Sequence, residues 1–208
     1  MKSLKLLLFF LIAAVALTGC AAEEARKPED VQKFLMNLKS YKCDVVLAVS
    51  NNKSTNVYKA THLYKYPDSY RIEVKEPNDL KGQTTIYSKE KAYIYHPQIN
   101  TYFETQNFNS TMDYSAFVGA FVDYFKNNGG ARFNMERFQD KDCFVLEIPV
   151  GKESRYRAIE KIWIDAERIV PVKAEILDKN NNVSAQILYE NFEVNPKLED
   201  SLFTIEKN

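Results

Sequence analysis

The chain is short of histidine, glycine and cysteine and has no net charge: among 208 residues there are 2 His, 6 Gly and 3 Cys, and 28 Lys and Arg balance 28 Asp and Glu. Each shortage argues against a class of function. His62 and His96 fall on separate predicted strands without a His-Glu-x-x-His pattern, so no metal site is predicted. No base and nucleophile come together in any recognisable motif, so no catalytic residue is assigned and a non-enzymatic role is expected. A balanced charge offers no field to gather phosphate backbones, which argues against nucleic acid as a partner. Three motif fragments fail on inspection. Ser50 and Lys53 have Ser-x-x-Lys spacing but sit in a polar turn without companion motifs. Asp178 to Asn182 begins like a calcium loop, but Val183 stands where Gly is needed and Tyr189 where the bidentate Glu belongs. Gly151-Lys152 lacks the upstream Gly of a phosphate-binding loop, and no cofactor is implied.

Long apolar runs are also scarce. The one at Leu6 to Leu17 has 12 residues, short of the roughly 20 that a membrane-spanning helix needs. Lys2 and Lys5 precede it and Leu17-Thr18-Gly19-Cys20 follows it, which is the pattern of an export signal ending in a bacterial lipoprotein box. Residues 1–19 are therefore expected to be a signal peptide, Cys20 the lipidated residue, and 20–27 a polar spacer. Residues 28–208 remain as a single domain on the extracytoplasmic face of a bacterial membrane. Diacylglyceryl and acyl chains at Cys20 bury many methylenes at roughly 0.8 kcal/mol each, enough for a stable tether.

What the chain has in quantity is aromatics, 13 Tyr and 13 Phe, which suit packed sheet. Pro28, Glu29 and Asp30 open a helix whose Val31, Phe34, Leu35 and Leu38 share one face. The period then becomes two. Strands are predicted at 43–50, 55–66, 69–75, 83–88, 91–96 and 99–103, separated by turns too short for parallel crossovers. A second helix over 112–128 places Phe117, Phe121, Tyr124 and Phe125 on one stripe and ends at Asn127-Asn128-Gly129-Gly130. Strands resume at 132–138, 143–149, 156–165, 170–177 and 183–194. About eleven strands and two helices predict a mostly β (α+β) fold, an antiparallel half-open barrel with helices over its concave face.

Cys43 and Cys143 admit two readings: a disulfide, as an even pair in an exported protein does, or two small hydrophobes, since each begins an apolar strand. The tyrosines, among them Tyr64, Tyr66, Tyr70, Tyr93, Tyr95 and Tyr102, alternate along strands, so about half should point inward. The outer half forms either ordinary cross-strand pairs or a face that docks a protein. An apolar pocket under Phe117, Phe121 and Phe125 is a third reading. Edge strands could also pair two copies into a homodimer.

Several patterns occur in a recognisable order: Ser69 to Pro77, Lys81-Gly82, Thr85 to Ser88 and Lys91 to Pro97, then Ile162 to Asp165, Ile169 to Pro171, Val183 to Tyr189, Asn191-Phe192 and Asp200 to Phe203. From about Val31 to Ile205 the chain resembles the LolA/LolB-like superfamily of lipoprotein-carrier folds. The lipobox with Tyr41 to Cys43, Asp79 to Gly82 and Tyr95 to Pro97 further resembles the clostridial germination lipoproteins of the GerS type. That resemblance implies a lipoprotein of the spore envelope, on the outer forespore membrane. Its implied partner is an N-acetylmuramoyl-L-alanine amidase that helps form the muramic-δ-lactam of the spore cortex, the mark read at germination. The superfamily resemblance also implies an alternative, a carrier whose half barrel holds lipids or acylated proteins. An envelope sensor is compatible with the same fold and has no supporting residue.

Overall fold

A computed structural model describes residues 26–50, 53–88, 91–106, 118–128, 132–154 and 157–204. The signal segment, Cys20 and Phe117 lie outside these residues.

Helix α1 (Pro28–Asn37) starts with Pro in its first turn, and the Lys27 N–H donates to the Asp30 carboxylate at 2.9 Å. Its buried stripe is Val31 and Leu35. Eleven strands follow: β1 (Ser40–Ser50), β2 (Thr55–Lys65), β3 (Ser69–Glu76), β4 (Thr84–Ser88), β5 (Lys91–His96) and β6 (Thr101–Gln106), then β7 (Phe133–Phe138), β8 (Lys141–Ser154), β9 (Arg157–Asp165), β10 (Pro171–Leu177) and β11 (Val183–Val194). Helix α2 (Gly119–Asn128) lies between β6 and β7, and a 3-10 turn (Asp200–Phe203) follows β11. The described part of the second predicted helix thus begins at Gly119. Of the predicted strands, those expected at 43–50 and 143–149 are longer, running Ser40–Ser50 and Lys141–Ser154, and the one expected at 99–103 is shifted to Thr101–Gln106.

All strands join one sheet in the order β6-β5-β4-β3-β2-β1-β11-β10-β9-β8-β7. Two antiparallel meanders, β1–β6 and β7–β11, are sewn together by the β1–β11 pair, with Tyr41 opposite Val194 and Val45 opposite Tyr189. The sheet is open, with β6 and β7 as its edges, and α2 lies between these two strands in sequence. Asn195, at φ 54, closes the seam. Its side-chain oxygen accepts from the N–H groups of Lys39 (2.7 Å) and Ser40 (3.2 Å), and its own N–H donates to the Ser40 carbonyl at 2.8 Å.

The two faces of the sheet are covered differently. On the inner face, Val31 and Leu35 of α1 and Phe121, Val122 and Phe125 of α2 form one cluster with Tyr41, Cys43, Tyr64, Tyr70, Leu146, Ile162, Ile164 and Ile187. Among the described residues, the outer face carries two small clusters. Leu63 and Ile86 lie under Phe203, where the C-terminal segment crosses β2–β4, tied by Lys65 to Asp200 and by the Arg71 guanidinium to the Leu202 carbonyl. Cys143, Val145 and Trp163 form the other.

Candidate functional site

Alternation within β2, β3 and β4, combined with their register, lines up a row of tyrosines on the inner face. Tyr41 is opposite Tyr64, Tyr64 opposite Tyr70, and Tyr70 opposite Tyr87. Successive ring centroids are 5.2, 5.1 and 5.9 Å apart, and Phe192 stacks on Tyr41 at 4.9 Å. Such offset or tilted aromatic pairs contribute about 0.5–1.5 kcal/mol each beyond their burial. The start of α2 rests on this row: the Val118 N–H donates to the Tyr41 hydroxyl at 3.1 Å. Burial, followed by the field of Cys43, pushes the Tyr41 phenol well above its ordinary range, so it stays protonated.

Tyr64 and Tyr70 are therefore interior packing residues, at 0% and 1% exposure, and cannot belong to an outer docking face. Phe121 and Phe125 are equally buried against them. Tyr66, at the end of the same strand run, is exposed and carries the Lys126 ammonium 3.2 Å above its ring.

Tyr93, Tyr95 and Tyr102 lie on the other side. Tyr93 is opposite Ile86 and Glu104, and Tyr95 opposite Thr84 and Tyr102, all outward in the alternation. The Tyr95 and Tyr102 rings are 4.7 Å apart, and the Tyr95 hydroxyl donates to the Asn100 side-chain oxygen at 3.1 Å. Tyr102 is 48% exposed, Phe103 49% and Ile99 61%, so the β5–β6 hairpin concentrates exposed apolar area at a sheet edge. Aromatic rings held rigid by cross-strand stacking offer contact area at small entropic cost.

The outer face of the other meander is closed by charge. Trp163 donates its indole N–H to Glu136 at 2.9 Å, with Lys173 4.1 Å and Lys161 4.8 Å from its ring centroid. Lys161 pairs with Glu136 (2.7 Å) and Glu147 (3.4 Å), and Lys173 with Glu175 (2.7 Å). The ring is thereby only 4% exposed. This network was not legible as a unit in the sequence, because its members come from four strands.

The disulfide reading of Cys43 and Cys143 is corrected: both are free, buried thiols. Cys43 belongs to the inner cluster and Cys143 to the outer cluster around Trp163, so the sheet itself stands between them. Burial raises both thiols, Cys43 well above its usual value. Each packs as a small hydrophobe. His62, opposite Cys43 in the β1–β2 register, is 2% exposed, and burial lowers its pKa to about 3. It is a neutral core residue. No group of three or more His, Cys, Asp or Glu able to hold a metal occurs among the described residues, and no helix among them is long and apolar enough to cross a membrane.

Comparison with known proteins gives the chain its relatives. The family model described as "Sporulation protein YdcC-like" matches residues 1–203. The sporulation protein YdcC of Bacillus subtilis (strain 168) is 20% identical over 212 residues; the match takes in 100% of this chain and 61% of YdcC, so the chain spans about three-fifths of the length of that relative. Among solved structures, an uncharacterized conserved protein from Thermus thermophilus is 13% identical with a TM-score of 0.53, covering 86% of this chain and 94% of its own. That likeness is one of fold. A LolA superfamily protein from Nitrosomonas europaea also matches, at 14% identity and TM-score 0.46 over 85% of this chain and 95% of its own. So does the GerS lipoprotein solved in complex with the CwlD amidase from Clostridioides difficile, at 26% identity and TM-score 0.49 over 79% of this chain and 92% of that one.

Proposed function

This chain belongs to the YdcC-like sporulation protein family, and from that premise we propose that it is a lipid-anchored, non-enzymatic protein that binds and supports a peptidoglycan amidase while the spore cortex is modified. The observation that carries the reading is the exposed aromatic hairpin β5–β6, where Tyr95 and Tyr102 stack on the outer face and Phe103, on the opposite face, and Ile99 are exposed as well. The resemblance to GerS-type lipoproteins at Tyr41 to Cys43, Asp79 to Gly82 and Tyr95 to Pro97 supports the choice of an amidase as the partner class. Helix α2 fills the inner face with Phe121 and Phe125 packed on buried tyrosines, which favours a protein adaptor over an acyl carrier. Anchoring through Cys20 would keep the protein and its partner at the outer forespore membrane.

The test is affinity capture of the tagged full-length protein from sporulating cells, with mass spectrometry of co-purified proteins and lipids. A stoichiometric N-acetylmuramoyl-L-alanine amidase is expected, with capture reduced tenfold or more by the Tyr95→Ala and Tyr102→Ala pair, as for a hot spot of about 2 kcal/mol. Acylated cargo without an amidase would replace the adaptor reading by that of a carrier. Labelling with radioactive palmitate, lost in Cys20→Ala, tests the anchor.

A further inference from the structure

At the end of the sheet where β7 turns into β8 and β9 into β10, a groove of about 340 Å³ opens between Phe138, Lys141, Arg168, Pro171, Glu190 and Asn191. One of its walls is braced by a buried carboxylate. Asp165, 2% exposed, accepts from the N–H groups of Glu167 (2.9 Å) and Arg168 (3.0 Å) and pairs with the Lys141 ammonium at 3.1 Å. Burial alone would raise this carboxyl; the hydrogen bonds from Arg168, Lys141 and Glu167 prevail and hold it below its usual value. The turn that carries Arg168 is thus held to the start of β8. Across β10, β11 bends at Asn191, φ 50, where its register with β1 shifts, and presents Glu190. Arg168 and Glu190 are both exposed, and neither is ion-paired among the described residues.

The Arg168 cation and the Glu190 anion both line one groove, with Pro171 and Phe138 as its apolar lining. Arg168 lies in the β9–β10 turn, and Glu190 lies on β11, which pairs with β10. A single carboxylate ligand would leave Glu190 facing it, and a single cation would face Arg168. A zwitterion satisfies both.

We infer that this groove binds a short peptide with a free amino terminus, its ammonium at Glu190 and its carboxylate at Arg168. This is the class of product released when an amide bond between a glycan and a peptide stem is hydrolysed. The choice of that source rests on the amidase reading, whereas the charge pattern of the groove does not.

The experiment measures binding to the purified full-length protein in detergent, with no amidase present, so that its failure is distinct from failure of amidase capture. The probes are L-alanyl-D-glutamate, its N-acetyl form and its α-carboxamide, followed by calorimetry. The free dipeptide is expected to bind, and each modification to weaken it at least tenfold. Arg168→Ala should abolish the discrimination between acid and amide, and Glu190→Gln that between free and acetylated amine. Both side chains are exposed, and unchanged Trp163 fluorescence verifies the fold of each variant. Absence of binding at millimolar peptide, equal binding of all three probes, or discrimination that survives both substitutions would overturn the proposal.

Discussion

Gly119 lies so close to Tyr64 that a methyl group on it would fall 2.7 Å from Cε2 of that ring and 2.8 Å from the hydroxyl of Tyr70. Both rings are buried and stacked in the tyrosine row, so neither can swing away. Gly119→Ala would otherwise favour a helix by up to about 1 kcal/mol. Overpacking of about 1–3 kcal/mol should win, and the melting temperature is expected to fall by several degrees. Adding Tyr70→Phe removes the nearer oxygen but leaves Tyr64, so it should restore only part of the loss. A Gly119→Ala protein as stable as the parent would mean that α2 is not seated on the row.

Acid should destabilise the domain through His62. Burial lowers its pKa from 6.5 to about 3, so between these values the unfolded chain binds a proton that the folded one does not. Stability then rises with pH, with a slope of up to roughly 1.4 kcal/mol per unit. It is fully present above the unfolded pKa and lost as pH falls. Urea unfolding at pH 7, 6, 5 and 4 measures the slope, and His62→Gln should flatten it over that interval.

Arg157 and Glu160 form an ion pair with both side chains largely buried. Burial pushes the Glu160 carboxyl up, and the Arg157 guanidinium pulls it back down without offsetting the rise. Arg157→Met strands the carboxylate and should cost about 3–5 kcal/mol, whereas Arg157→Met with Glu160→Leu should recover most of it. Thermal unfolding of the single and double variants separates the two cases. A double variant no better than the single would locate the cost in lost packing.

The two buried thiols give a chemical test of the face assignment. Cys43 is 1% and Cys143 0% exposed, and burial keeps both protonated at neutral pH, which makes them poor nucleophiles. Neither should react with a thiol reagent in the native protein, and both should react in denaturant without prior reduction. A mass lower by two hydrogens under non-reducing conditions would reveal a bridge.

Strand positions were legible because alternation and turn residues are local signals. β5 runs Lys91–His96 and β11 Val183–Val194, as the alternation predicts, and the short turns require antiparallel neighbours. Alternation also implies that half the tyrosines point inward, but not which half. Tyr64 and Tyr70 share their inward direction with Tyr41 because of the β1–β2–β3 register, whereas Tyr93, Tyr95 and Tyr102 fall outside.

The sequence by itself determined the strand and helix pattern and the antiparallel class, since each depends on residues close together along the chain. Only the tertiary structure decided that Cys43 and Cys143 lie on opposite faces, that Trp163 is roofed by lysines, and that Arg168 and Glu190 share a groove. These relations join strands far apart in sequence. They follow from the β1–β11 seam and the register of the whole sheet, in which a slip of one residue would turn every side chain to the other face.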